Sequence, residues 1–228
     1  MQTTDDSATS KAEQLAHGRP AVERWLTWSG LVPLPVFLLL HLARELRLSF
    51  GSDVSDVLRP ASGAFAALTG LLLVWLPLTT HAALGGYFVL SGRKLSPLAG
   101  DDVPRMPRLV SRVSSVLALA FVVYHSRTFP LAVWLGEADA RDAGFRLIGQ
   151  LSSTRFGVPL AGGVYLVALL ATLAHAALAV HRGLLAEGRL PTPAKRRTSA
   201  RLCAAFGAAS FCVGAAAVIR VASGVLLR

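Results

Sequence analysis

The stretch AFAALTGLLLVWLPLTTHAALGGYFVLSG, Ala64 to Gly92, runs for 29 residues without an Asp, Glu, Lys or Arg. About 20 apolar residues suffice to cross a bilayer as a helix, since each adds 1.5 Å of rise against a hydrocarbon core about 30 Å thick. Working outward, similar stretches occupy Trp25 to Ala43, Val113 to Gly136 (broken by Arg127), Phe156 to Val180 and Leu202 to Ile219. The expected fold is an all-α membrane protein with five transmembrane helices. The connections are too short to bury a core of their own. We therefore expect one five-helix domain over residues 24–228, preceded by a polar tail, 1–23, that begins MQTTDDSATS and lacks the basic start and cleavage site of a secretory signal.

The 23 Lys and Arg against 13 Asp and Glu bear on orientation. With the N-terminus inside, 14 basic residues fall on the cytoplasmic side, among them Lys11, Arg19, Arg93, Lys94, Arg112, Arg182, Arg189 and Lys195 to Arg197, and nine fall outside. The positive-inside rule then predicts a cytoplasmic N-terminus and an outer C-terminus. Anionic lipid headgroups account for the basic loops, and nucleic acid is excluded as a partner. Cys203 and Cys212 stand nine residues apart on one helix, so no disulfide is expected.

Proline punctuates the helices at Pro33, Pro35, Pro77 and Pro130, where kinks are expected. The stronger breakers, FGSDVSD, LSPLAGDDVPRMP, GEADARDAG and RLPTPAKRR, read as loops.

An ionisable residue inside a membrane helix is costly and marks a functional site by default. His41, His81, His125 and His175 fall one in each of the first four helices; His17 lies in the tail and His181 at a helix end. His41 and His125 come late in outward-running helices, His81 and His175 late in inward-running ones. The four sort by depth into an outer and an inner pair, roughly 10 to 15 Å apart along the membrane normal. Two neutral imidazoles on opposite faces of a porphyrin hold a six-coordinate haem suited to electron transfer. Small residues beside the inner pair, Gly85, Gly86, Ala82, Ala83, Ala174, Ala176 and Ala177, leave room for a flat macrocycle. The expected bundle is therefore the first four helices around two haems. Arg44 and Arg127 are spaced to meet the propionates of an outer haem, and Arg182 and Arg112 those of an inner one; snorkelling to headgroups is the alternative for each.

These residues resemble the dihaem cytochrome b subunit, b558 type, of succinate dehydrogenase and quinol:fumarate reductase. The resemblance rests on SGLVPLPVFLLLHL around His41, WLPLTTHAALGGYF around His81, SRVSSVLALAFVVYHSRTFPLA around His125 and GGVYLVALLATLAHAALAVHRGLLAEGRLPTP around His175. Gly30 and Pro33 stand at the offsets of a Gly and a Pro in that family, and Arg112 and Ser114 at those of an Arg-x-Ser pair. The sequence departs from the family after the first ligand, where HLARELRL places Arg44 and Glu45 near a usual Gly-Asn pair. No Asp or Glu stands in the second, third or fourth apolar stretch, so Glu45, Asp53 and Asp56 are the nearest outer carboxylates.

The resemblance implies two b haems, with iron held by His41 and His125 nearer the outer face and by His81 and His175 nearer the cytoplasm. It implies a flavoprotein with FAD and an iron–sulfur protein as cytoplasmic partners, and a bacterial cytoplasmic membrane as the location. The chain would anchor them and carry electrons to quinone, menaquinone ahead of ubiquinone, as a subunit of succinate:quinone oxidoreductase. A quinone carbonyl under reduction gathers negative charge and wants a donor beside it; Thr27, Arg112 and Ser114, with Trp28 near, stand at the depth expected for that site. The alternatives are the haem b subunit of a hydrogenase or formate dehydrogenase, a haem-free histidine proton relay, and an anchor that has lost its haem.

Overall fold

A computed structural model describes residues 20–31, 33–49, 68–92, 105–139 and 142–223. Most of the expected tail, together with His17, Asp53, Asp56, Arg93 and Lys94, lies outside the described residues. The described chain is almost wholly helical. Its elements are α1 (Ala21–Leu31), α2 (Pro33–Ser49), α3 (Leu76–Leu90), α4 (Arg105–Thr128), α5 (Pro130–Trp134), α6 (Ala143–Ser152), α7 (Leu160–Ala186) and α8 (Pro193–Ala222). Among the described residues there is no strand, only one isolated bridge between Arg155 and Val158.

Five spans are long and apolar enough to cross a membrane: Ala21–Arg44, Leu68–Leu90, Leu109–Trp134, Leu160–Ala186 and Pro193–Ala222. Large apolar side chains such as Val89, Leu90, Val116, Val164 and Leu202 stand exposed along them. Water would penalise such surface, whereas lipid does not. This is the architecture of a multi-pass membrane protein.

The spans run past the charge-free stretches. Pro20 accepts at its carbonyl from the Glu23 and Arg24 amides at 3.0 and 3.2 Å, so helix begins at Ala21, inside what composition alone reads as tail. Glu23 is buried there, with 4 % of its surface exposed. Prolines act in two ways. Pro33 opens α2, and Pro130 opens α5 after Phe129 leaves helical geometry at φ −114°, ψ −80°. Before Pro77 the chain widens into a π-helical turn, Leu71–Trp75, closed by the Leu76 amide on the Leu71 carbonyl. That extra residue per turn absorbs the clash and missing donor that proline imposes.

The chain divides into two compact units. The first gathers Met1–Phe37, Leu68–Ser111 and Ala174–Gly207; the second gathers Leu38–Ala67, Arg112–Leu173 and Ala208–Arg228. In the first, α1 packs along α3, and Gly183 lets the Leu31 side chain approach, since a Cβ there would stand 3.0 Å from Leu31 Cδ1. In the second, Phe129, Ile148, Leu151, Tyr165 and Val221 form a buried core. Two of these come from α6, which lies in the connection that breaker residues mark as loop. Its Leu147, Ile148 and Leu151 recur at helical spacing and turn inward while Phe145 and Arg146 stay exposed.

Candidate functional site

His81 sits in α3 one turn past Pro77, and His175 in α7; both belong to the first unit, and their ring centroids are 6.0 Å apart. His81 Nδ1 lies 3.1 Å from the Leu26 carbonyl and 3.4 Å from Ser29 Oγ. A carbonyl only accepts, so Nδ1 carries the proton and Nε2 keeps its lone pair. Gly30 makes this contact sterically possible: a Cβ on it would stand 2.5 Å from His81 Cε1 and 2.7 Å from Nδ1. His175 differs, since its Nδ1 is buried without a hydrogen-bond partner among the described residues. A buried, unbonded ring nitrogen is costly and asks for an explanation.

His41 in α2 and His125 in α4 form the second pair, in the second unit, with centroids 6.3 Å apart. Around His125 stand three aromatic rings. Phe121 stacks at 5.4 Å and Phe129 tilts against it at 5.1 Å, one helical turn before and after, while Tyr165 from α7 meets it edge-on at 6.0 Å. The Tyr165 hydroxyl lies 3.4 Å from His125 Nδ1, which leaves Nε2 as the open nitrogen.

The spacing tests what these pairs can hold. An imidazole nitrogen lies about 2 Å from a metal it binds, and its ring centre roughly 1.1 Å further, so two rings across one ion have centroids about 6 Å apart. Both pairs match that value. Among the described residues no group of three or more His, Cys, Asp or Glu could hold a bare metal ion. Two imidazoles leave the remaining positions on an ion to donors from outside the chain, and a porphyrin ring is one group that supplies them. At Gly85 and Gly86 a Cβ would meet nothing within 4 Å, so the surface beside His81 is open there.

The other expected site residues are placed as follows. Arg127, two residues after His125, is engaged by Glu137 through two bonds of 2.6 and 2.9 Å. That is the bidentate geometry a guanidinium offers any carboxylate, a propionate included. Arg44 is exposed on α2, and Arg182 is half-buried on α7. The Thr27 hydroxyl donates to the Glu23 carbonyl at 2.9 Å and belongs to the first unit. Arg112, exposed, and Ser114, buried at 4 % exposure, belong to the second. His181, near the end of α7, pairs its Nδ1 with Ser199 Oγ at 3.0 Å. Cys203 and Cys212 are both free.

Sequence reasoning missed Leu26, Ser29, Phe121, Phe129 and Tyr165. The Phe121, His125, Phe129 spacing of four is a readable signal, whereas nothing local marks Tyr165 or the Leu26 carbonyl. Compared with protein-family models, with curated proteins and with solved structures, the chain matches none.

Proposed function

We propose that this chain is a dihaem cytochrome b, the membrane anchor and electron-transfer subunit of a succinate:quinone oxidoreductase of the succinate dehydrogenase or fumarate reductase type. One observation carries the reading: four histidines, one in each of the first four spans, meet as two pairs with ring spacings of 6.0 and 6.3 Å. The resemblance of the sequence around each histidine to the b558 subunits supports the choice among haem proteins.

Two b haems bound here would supply one-electron transfer between an iron–sulfur partner and quinone. The chain's own part is positioning. Leu26 and Ser29 fix the His81 ring through Nδ1 and leave Nε2 for the iron; such outer hydrogen bonds set ring orientation and ligand basicity. Phe121, Phe129 and Tyr165 fix His125 by packing and keep water from it. With a cytoplasmic N-terminus, His81 and His175 form the pair nearer the flavoprotein and iron–sulfur partners, and His41 and His125 the outer pair. Quinone would be met in the bacterial cytoplasmic membrane by a donor such as Thr27 of the first unit, or Arg112 or Ser114 of the second.

The test is a reduced-minus-oxidised spectrum with a pyridine haemochrome count on the purified chain. About two low-spin protohaems per chain are expected, one per histidine pair. A folded, colourless preparation would overturn the reading and leave a histidine proton relay in its place. Succinate-dependent quinone reduction by the co-purified complex then separates a succinate dehydrogenase anchor from that of a hydrogenase or formate dehydrogenase.

A further inference from the structure

The connection between the third and fourth spans carries an oddity. Phe156 has φ +57°, the left-handed region, in a two-residue turn where Arg155 and Val158 exchange backbone bonds of 3.0 and 3.1 Å. Gly157 follows at φ +75°. A turn with both central residues left-handed favours Asn, Asp or Gly, and a bulky aromatic there is strained. The ring receives no packing from the chain in return: Phe156 is 99 % exposed. Water gives a strained, bare phenyl ring nothing either.

Its surroundings indicate what covers it. Trp134, which ends the third span, and Phe145 on α6 are also exposed. Exposed apolar surface continues from Val158 through Leu160 to Val164, along the start of the fourth span. The end of one span and the start of the next lie on the same side of a bilayer, so this connection sits at its surface. α6 uses Leu147, Ile148 and Leu151 for its own core, leaving isolated aromatic tips rather than a groove for a protein partner. Arg155 is exposed beside Phe156, and Arg146, exposed beside Phe145, also donates to the Thr128 carbonyl at 3.1 Å. Exposed aromatic rings beside exposed guanidiniums, in a connection at the bilayer surface, are the composition of an interfacial segment.

We infer that the connection from Leu135 to Pro159 is a membrane-surface element, with Phe156 and Phe145 inserted at the boundary of headgroups and acyl chains of the bilayer itself. The strained turn holds the Phe156 ring outward, and α6, pinned by its buried face, sets its height. This assignment is independent of the haem reading.

The experiment places a nitroxide at position 156 by Phe156→Cys, in the full chain with Cys203 and Cys212 replaced by Ser, reconstituted in phosphatidylethanolamine and phosphatidylglycerol vesicles. Collision with oxygen, which concentrates in lipid, is compared with collision with a water-soluble nickel chelate. A label at Val164→Cys serves as the lipid-facing reference. The expected result is oxygen accessibility several-fold above that of the chelate, in the direction of the reference. Accessibility to the chelate above oxygen would place the turn in water and overturn the inference. Shielding from both would mean a protein covers it, and would overturn it equally. Phe145→Cys gives a second reading from α6, independent of the strained turn, and has to agree.

Discussion

The two histidine pairs have nearly the same spacing but are built from opposite materials. In the first unit, His81 is held by polar backbone at close range: a carbonyl at 3.1 Å and a glycine whose missing Cβ makes the approach possible. In the second, His125 is held by bulk, between Phe121, Phe129 and Tyr165. The first arrangement depends on nothing being added, and the second on nothing being taken away. Point contacts are specific but intolerant, whereas packed rings spread their energy over many weak contacts and degrade gradually.

If the pairs hold haem as proposed, the largest effect should come from the four histidines. His81→Ala or His175→Ala is then expected to lower haem from about two to about one per chain, removing one spectral component and weakening attachment of the proposed soluble partners. His41→Ala or His125→Ala should remove the other component and spare the first. The haemochrome count and the low-temperature difference spectrum read both. If all four variants kept the full count, the pairs would not be haem sites and the comparison would collapse.

Next in size is Phe129→Ala. Phe129 belongs to the core with Ile148, Leu151, Tyr165 and Val221 and also touches His125, so its loss should cost about 3 to 5 kcal/mol. Thermal unfolding in detergent should show the drop, with haem lost from the second pair first. Equal loss from both pairs would mean the two are not held separately.

How far the sequence foretold this contrast depends on the range of the forces involved. The five spans were legible in stretches such as Ala64 to Gly92, because bilayer thickness imposes a length that hydropathy alone reports. The neighbours were legible too: distance from each helix end assigned His41 to the depth of His125 and His81 to that of His175, and the structure sets those rings side by side. What holds each ring was not. Gly30 is 51 residues from His81 in sequence, and the need for a bare Cα arises only once α1 lies on α3. Helix α6 was hidden because GEADARDAG breaks the chain just before it, while its inward face is only Leu147, Ile148 and Leu151. The engagement of Arg127 by Glu137 depends on the turn after α5 folding back, which no spacing rule encodes.

Gly30→Ala probes intolerance directly. The added methyl would overlap the His81 ring at 2.5 Å, and the ring cannot yield without leaving the Leu26 carbonyl. Overpacking of this kind costs about 1 to 3 kcal/mol, and the expected outcome is partial loss of one haem component with the other intact. Gly214→Ala is the control: its Cβ meets Leu169 Cδ2 at 2.7 Å, the free end of a flexible side chain in the second unit. That variant should keep both components. Were Gly30→Ala as mild as Gly214→Ala, the close-approach account of the first pair would fail.

Ser29→Ala should have the smallest effect and resolves the first pair most finely. The Ser29 hydroxyl donates to the Leu26 carbonyl at 3.1 Å, the same oxygen that accepts from His81 Nδ1. Two donors share one acceptor, so each bond is weaker than it would be alone. Removing the hydroxyl leaves the carbonyl to His81, strengthens that bond, and makes the imidazole a better donor to iron. Better donation favours the ferric state, so the midpoint potential of one component should fall. A change of about 0.5 kcal/mol in that bond corresponds to roughly 20 mV for a one-electron couple. Haem content and the other component should not move. A potentiometric titration of the variant against the parent chain reads the shift. A rise instead of a fall would mean that Ser29 Oγ, 3.4 Å from His81 Nδ1, acts chiefly as a second acceptor for the Nδ1 proton, so that its loss weakens the ring's hydrogen bonding and the shared-acceptor account fails.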